Sequence, residues 1–171
     1  GKAAILVDFW TYSCVNCIRT LPHIKMFHQK YGDKGLVIIG IHTPEFEFEK
    51  KIENVEEAVK KYGLEYPIAL DSENTTWNLY GNKYWPRTTL VDSRGKIRLE
   101  HVGEGDYDLI EQKIIELLGD IGVKVEEKVE RQRVDRIKQF EITKKMTPEI
   151  YLGAKRSRGF GNSQVCVPGS C

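Results

Sequence analysis

Two short, almost wholly apolar runs bracket a stretch of helical periodicity: Ala3 to Trp10 (AAILVDFW) and Leu36 to His42 (LVIIGIH). A strand that is apolar at consecutive positions has both faces covered, which is the situation of a central, mostly parallel sheet. Between the runs, Ile18, Leu21, Ile24 and Phe27 recur every three residues and give a helix one apolar face, with Gly32 expected just past its end. Two such strands joined through a helix form a parallel crossover unit, so the chain is read as α/β.

The same reading continues downstream. Ile52, Val55, Val59 and Tyr62 mark a second amphipathic helix, closed by Gly63. Pro67 to Leu70 is a short strand and Thr75 to Tyr80 a short helix. Thr88 to Asp92 and Lys96 to Val102 flank Ser93-Arg94-Gly95, a hairpin signal. Asp106 is placed to cap a last helix whose apolar face is Tyr107, Ile110, Ile114 and Leu117, with Gly119 as its stop. The order β-α-β-α-β-α-β-β-α describes a central mixed sheet flanked by helices, parallel in its first half and ending in an antiparallel hairpin.

Charge sets the domain edge. Residues 1–119 carry 15 basic and 18 acidic side chains, and residues 120–171 carry 11 basic and 7 acidic with sparse apolar positions. The first segment is read as the folded domain and the second as a charged extension or linker, or the start of a further domain. Residues 120–145 fit either a helix or an extended arm, and the Gly/Ser/Pro-rich Gly159 to Cys171 reads as loop. A net charge of +1 argues against nucleic acid as a partner. No run approaches the roughly 18 apolar residues of a spanning helix. A domain rarely begins on its central strand, so the chain is expected to be a fragment of something larger.

The chemistry is expected at Cys14-Val15-Asn16-Cys17, directly after a buried strand and at the start of a helix. The unpaired amides of a helix N-terminus stabilise an anion, which lowers the first thiol's pKa. Two intervening residues on a helical turn let the sulfurs reach each other and exchange as a disulfide. Cys166 and Cys171 form a separate pair near the end, either a small loop disulfide or unpaired.

The stretch Val7-Asp8-Phe9-Trp10-Thr11-Tyr12-Ser13-Cys14-Val15-Asn16-Cys17, followed by Pro22, resembles the active-site segment of the thioredoxin superfamily. Pro22 withholds one helical hydrogen bond from the residue four before it. The long interval from Cys17 to Pro86 fits the helix and strand inserted in TlpA-type members. The segments Phe9 to Cys14, Cys17 to Pro22, His42-Thr43-Pro44-Glu45-Phe46, Tyr84-Trp85-Pro86, Gly103 to Tyr107 and Thr147 to Gly153 resemble the thioredoxin-like domain of DipZ-type proteins. Such proteins join a CcdA-like membrane electron carrier to an extracytoplasmic thioredoxin-like domain and a further β-rich domain. The resemblance implies a membrane-anchored, outward-facing reductase of disulfide-bonded proteins, apocytochrome c among the clients, with no cofactor, and a linker or next domain at 147–171.

By that resemblance Cys14 is the nucleophile and Cys17 the resolving thiol. Pro86 is expected as a cis-proline facing the pair and offering backbone groups to an incoming peptide. The residues alone also allow a trans proline opening an edge strand. Trp85 would line the groove, with Tyr12 and Ser13 near the substrate and Trp10 packed beneath. Asp8 matches a buried aspartate that accepts the resolving thiol's proton, or else it is paired with a lysine or an amide. Glu45 is the candidate for an acid near the disulfide. Two other functions remain open: a peroxidase, because Thr11-x-x-Cys14 mimics a peroxide-holding pattern, and a copper or zinc carrier using Cys14, Cys17 and His42. Gly103-x-Gly105 lacks the third glycine of a dinucleotide loop and reads as a turn. His23, His28 and His101 read as surface or packing residues.

Overall fold

The computed structural model describes residues 3–125. The expected extension beyond residue 125 and the Cys166/Cys171 pair lie outside the described residues. Strands β1 (Ala4–Trp10), β2 (Leu36–His42), β3 (Ile68–Leu70), β4 (Arg87–Val91) and β5 (Ile97–Val102) form one sheet in the order β3-β2-β1-β4-β5. The pairs β1/β2 and β2/β3 are parallel, and β1/β4 and β4/β5 antiparallel. Helices α1 (Val15–Tyr31), α2 (Ile52–Tyr62), α3 (Thr75–Leu79) and α4 (Tyr107–Asp120) connect and flank the strands.

The central strands behave as their apolar runs require. Every residue of β1 except Ile5 is buried, and all of β4 is buried. The side chains of successive strand residues point to opposite faces, and each face has its own cluster. Leu6, Leu21, Ile24, Phe27, Ile38, Leu90, Ile110, Ile114 and Leu117 pack together, while Val7, Phe9, Ile41 and Trp77 pack as a second group. Leu21, Ile24 and Phe27 form the buried face of α1. Each contributes about 1.5–3 kcal/mol through burial, before the entropy of ordering is subtracted. Gly40, opposite Asp8 in the β1/β2 register, leaves room for a close approach. A Cβ there would lie 2.6 Å from Ile68 Cδ1 and 3.1 Å from Trp10 Nε1.

Three expected helix ends differ in detail. Gly32 keeps right-handed helical geometry and opens a 3₁₀ turn, Gly32–Lys34, and it is Gly35 that takes the left-handed conformation (φ 101°). Gly119 lies inside α4, which runs to Asp120, and the left-handed turn comes at Gly122 (φ 87°). In both cases two glycines stand three residues apart, and it is the second that reverses the chain. Asp106 occupies the N-cap position of α4, but its own backbone is left-handed (φ 49°) and its side chain makes no capping bond. It lies 3.3 Å from His101 Nε2 instead. His23 stacks on Tyr107, and Gly103 and Gly105 both have positive φ, so this segment is a turn as expected.

Candidate active site

The parallel register ends at Trp10 opposite His42, so the loops after β1 and β2 leave the same end of the sheet. The first is Thr11-Tyr12-Ser13, closed by the Cys14 amide donating to the Thr11 carbonyl at 3.3 Å. Cys14 then caps α1: its backbone is extended, and its Sγ accepts the Cys17 amide at 3.3 Å. Both cysteines are free thiols, Cys14 half-buried and Cys17 buried. A hydrogen bond from the Cys17 thiol lowers the Cys14 pKa to about 7, helped by the amides of Cys17 and Asn16, against burial and the Glu45 charge, which raise it. Burial first, then the Cys14 sulfur and the Asp8 carboxylate, push Cys17 well above the ordinary thiol range. The two sulfurs are thus driven apart in acidity: one ionises near neutrality and the other keeps its proton.

Asp8 sits in the middle of β1, 1% exposed. Burial raises its carboxyl to about 7. Its Oδ1 meets neither a lysine nor an amide, and among the described residues it has no hydrogen-bond partner. Two further buried polar atoms, Trp10 Nε1 and the Tyr66 hydroxyl, are likewise without partner. Trp10 Nε1 and the Tyr66 ring both border the space over Gly40, and the Asp8 charge helps raise the Tyr66 hydroxyl's pKa, after burial. A buried polar set of this kind suits an ordered water.

On the outer side of Cys14, the loop after β2 carries the alternating run Glu45-Phe46-Glu47-Phe48-Glu49. Glu45 is exposed, and its charge acts on Cys14 by raising its pKa. The acid built into the site is Glu49, which is 0% exposed. Its Oε1 accepts from the Thr11 and Ser13 hydroxyls, each at 2.5 Å, and its Oε2 accepts the amides of Glu45 and Phe46 at 2.6 and 2.9 Å. Burial would raise its pKa, yet these four bonds outweigh it and hold the carboxyl below its ordinary value. Glu49 thereby clamps the loop before Cys14 to the loop after β2. The sequence pointed to Glu45 as the acid of this loop and left Glu49 unnamed. The one available signal is that Glu49 falls third in the 3₁₀ turn Glu47–Lys50, where a glutamate can cap the preceding amide.

The remaining candidates fall around this clamp. Ser13 is exposed but its hydroxyl is spent on Glu49. The Tyr12 ring stacks on His42, with its hydroxyl donating to the Phe48 carbonyl at 3.1 Å. His42 is 1% exposed, and burial lowers its pKa to about 4. Its Nε2 lies 3.3 Å from the Thr11 hydroxyl. Cys14, Cys17 and His42, the ligands of the metal-carrier alternative, are not assembled into a cluster suited to a metal among the described residues. The peroxidase pattern is also not built: Thr11 is fully buried and its hydroxyl proton is given to Glu49.

The Trp85-Pro86 peptide bond is cis. Pro86 is buried and its carbonyl accepts the Gly103 amide at 2.9 Å. Trp85 is half-buried, stacks on Trp77 with centroids 4.0 Å apart, and donates its indole N–H to the Thr43 carbonyl at 3.1 Å. It therefore joins the loop before β4 to the loop after β2. Trp10 is fully buried, as expected for a packing residue.

Residues 1–116 match the Redoxin family profile. DipZ of Mycobacterium tuberculosis is 40% identical over 172 residues, covering 99% of this chain and 24% of DipZ. The thiol-disulfide oxidoreductase ResA of Halalkalibacterium halodurans is 30% identical over 112 residues, 66% of this chain and 60% of ResA. The chain thus spans about a quarter of the length of its DipZ relatives. Among solved structures, a Chlorobium tepidum protein described as thiol:disulfide interchange protein DsbE superposes with TM-score 0.63 and 28% identity, covering 69% of this chain and 82% of that one. The mixed five-stranded sheet, the helix-capping cysteine pair and these likenesses agree: the chain belongs to the Redoxin family and has a thioredoxin-like fold.

Proposed function

We propose that this domain is an extracytoplasmic reductase of protein disulfides, that residues 1–119 carry the activity, and that Cys14 is the nucleophile and Cys17 the resolving thiol. Thiol–disulfide oxidoreductase activity is the chemistry named for ResA and for YkuV of Bacillus subtilis, which is 25% identical over 120 residues. The observation that carries the reading is the split in acidity between a half-buried Cys14 and a buried Cys17 on one helical turn.

The steps follow from that split. The Cys14 thiolate attacks one sulfur of a client disulfide. A Cys14–client bond forms, the client S–S bond breaks, and the other client sulfur leaves as a thiolate. Cys17 then gives its proton to Asp8, whose raised pKa makes it a base near neutrality. The Cys17 sulfur attacks Cys14 Sγ, the mixed disulfide breaks, and the second client sulfur leaves. The client gains two electrons and the domain ends with a Cys14–Cys17 disulfide. Trp85, Tyr12 and Ser13 border the approach, and Glu45 tempers the thiolate by its charge.

Turnover then needs a donor of two electrons. The likeness to DipZ supports a CcdA-like membrane partner and membrane anchoring of the whole protein. Among the described residues no helix is long and apolar enough to cross a membrane.

The test is a pair of substitutions. Cys14→Ser abolishes reduction of a disulfide substrate, and Cys17→Ser accumulates a Cys14–client mixed disulfide visible on a non-reducing gel. Unchanged turnover by Cys14→Ser sinks the proposal. A redox titration of the pair fixes direction: a strongly negative potential supports a reductase, and one near those of oxidants reverses it.

A further inference from the structure

The reading above leaves the client's chemistry unspecified, and the loop after β2 bears on it. Phe46 and Phe48 are each 49% exposed. Their rings lie parallel, 6° apart in plane, with centroids at 5.5 Å. Aromatic rings ordinarily go inside, and an ordered pair left half in water marks a binding surface when it adjoins a functional site.

Four hydrogen bonds hold this pair in place beside the cysteine loop. Glu49 binds the Phe46 amide on one oxygen and the Ser13 hydroxyl on the other, so one carboxylate spans from Phe46 to the residue before Cys14. The Phe48 carbonyl accepts the Tyr12 hydroxyl at 3.1 Å and the Asn54 side-chain amide at 2.9 Å. Phe48 also meets the Tyr12 ring edge-on at 6.2 Å. Val15, immediately after Cys14, is 56% exposed. Exposed apolar side chains thus stand on both sequence neighbours' sides of the cysteine: Val15 directly after it, and Phe46 and Phe48 tied to the loop directly before it.

Resting on the proposed exchange at Cys14, we infer that Phe46 and Phe48, with Tyr12 and Val15, form a shelf that seats an aromatic or large aliphatic side chain next to the client's reactive cysteine. The occupant is an extended polypeptide carrying a disulfide flanked by an apolar residue. A folded protein presents few such side chains beside an accessible disulfide, because they are buried in its own core. The shelf thus favours clients that are still unfolded over finished ones. The stacked pair offers a flat face and no polar donor, so it selects by apolar area and not by hydrogen-bond pattern.

The experiment compares two disulfide-linked peptide dimers that differ only in Phe or Ser beside the cysteine. The full chain, reduced beforehand, is mixed with each, and released peptide thiol is followed in a single turnover. The wild-type protein reduces the Phe peptide about tenfold faster, the effect of covering roughly half a phenylalanine ring. Phe46→Ser and Phe48→Ser each cut that ratio about threefold, and the double variant brings it near one. Both rings are half-exposed, so the substitutions leave the fold intact. Leu79→Ser, which removes an apolar residue 81% exposed on α3, keeps the tenfold ratio. A wild-type ratio near one, a ratio untouched in the double variant, or an equal loss in Leu79→Ser overturns the shelf. Rapid reduction of a small aromatic disulfide such as dithiobis(nitrobenzoate), with no preference between the peptides, removes the shelf and leaves the dithiol chemistry standing. Failure to reduce even that reagent removes both.

Discussion

Removing the Glu49 carboxylate tests whether one buried acid holds the active-site loop. Four donors converge on it, two hydroxyls on Oε1 and two backbone amides on Oε2. Hydrogen bonds to a charged group contribute about 1.5–3 kcal/mol each and neutral ones about 0.5–1.5 kcal/mol. In Glu49→Gln the side-chain oxygen has to stay with the backbone amides, which cannot turn away. The new NH₂ then faces the Thr11 and Ser13 hydroxyls, which can rotate to accept. All four contacts survive as neutral bonds, at a cost of about 2–4 kcal/mol. Glu49→Ala removes the acceptor that all four donors share, leaving His42 Nε2 as the nearest alternative for Thr11 alone, and costs about 4 kcal/mol. Urea unfolding at pH 7 measures both.

The acid dependence carries a sign. The folded Glu49 pKa lies below its unfolded value, so its stabilisation is complete above the ordinary glutamate pKa and is lost as pH falls through the lower folded value. Wild-type stability therefore drops more steeply in acid than that of Glu49→Gln. The rate of Cys14 alkylation also changes in Glu49→Ala, because Ser13 is released beside it. An alanine variant within about 1 kcal/mol of wild type, with an unchanged alkylation rate, refutes the clamp.

Other consequences are as direct. Asp8 is raised from 3.8 to about 7, so the folded state holds a proton that the unfolded chain has lost, and stability falls as pH rises between those values. Asp8→Asn stabilises the protein at pH 8 by up to about 4 kcal/mol, at 1.36 kcal/mol per pKa unit, and much less at pH 4, as thermal unfolding at the two pH values will show. The same variant slows the resolving step, so a mixed disulfide persists longer in a quenched-flow trap; equal persistence removes Asp8 from the proton path. Iodoacetamide labels Cys14 with a midpoint near pH 7, while Cys17 stays unlabelled until the chain unfolds, which peptide mass mapping distinguishes. Ile24→Ala, at a fully buried position of α1, costs about 2–5 kcal/mol in urea unfolding.

What could be read along the chain is whatever depends on neighbours in sequence. The apolar runs of β1 and β2, the period of α1 and the hairpin at Ser93-Arg94-Gly95 are local patterns, and each element formed where its pattern stands. The capping position of Cys14 follows from a strand ending four residues earlier and a helix beginning one residue later. Apart from a capping position in a short 3₁₀ turn, local pattern had nothing to separate Glu49 from Glu45 and Glu47, three identical side chains at alternate positions. Glu49 alone is enclosed, because Thr11 and Ser13, 38 and 36 residues away, turn their hydroxyls toward it. The same holds for the orphaned Asp8 carboxylate, the nearby Tyr66 hydroxyl and the withdrawn His42. Acidity is set by solvent exclusion and by partners distant in the chain, and those distances exist only once the sheet has brought its strand ends together.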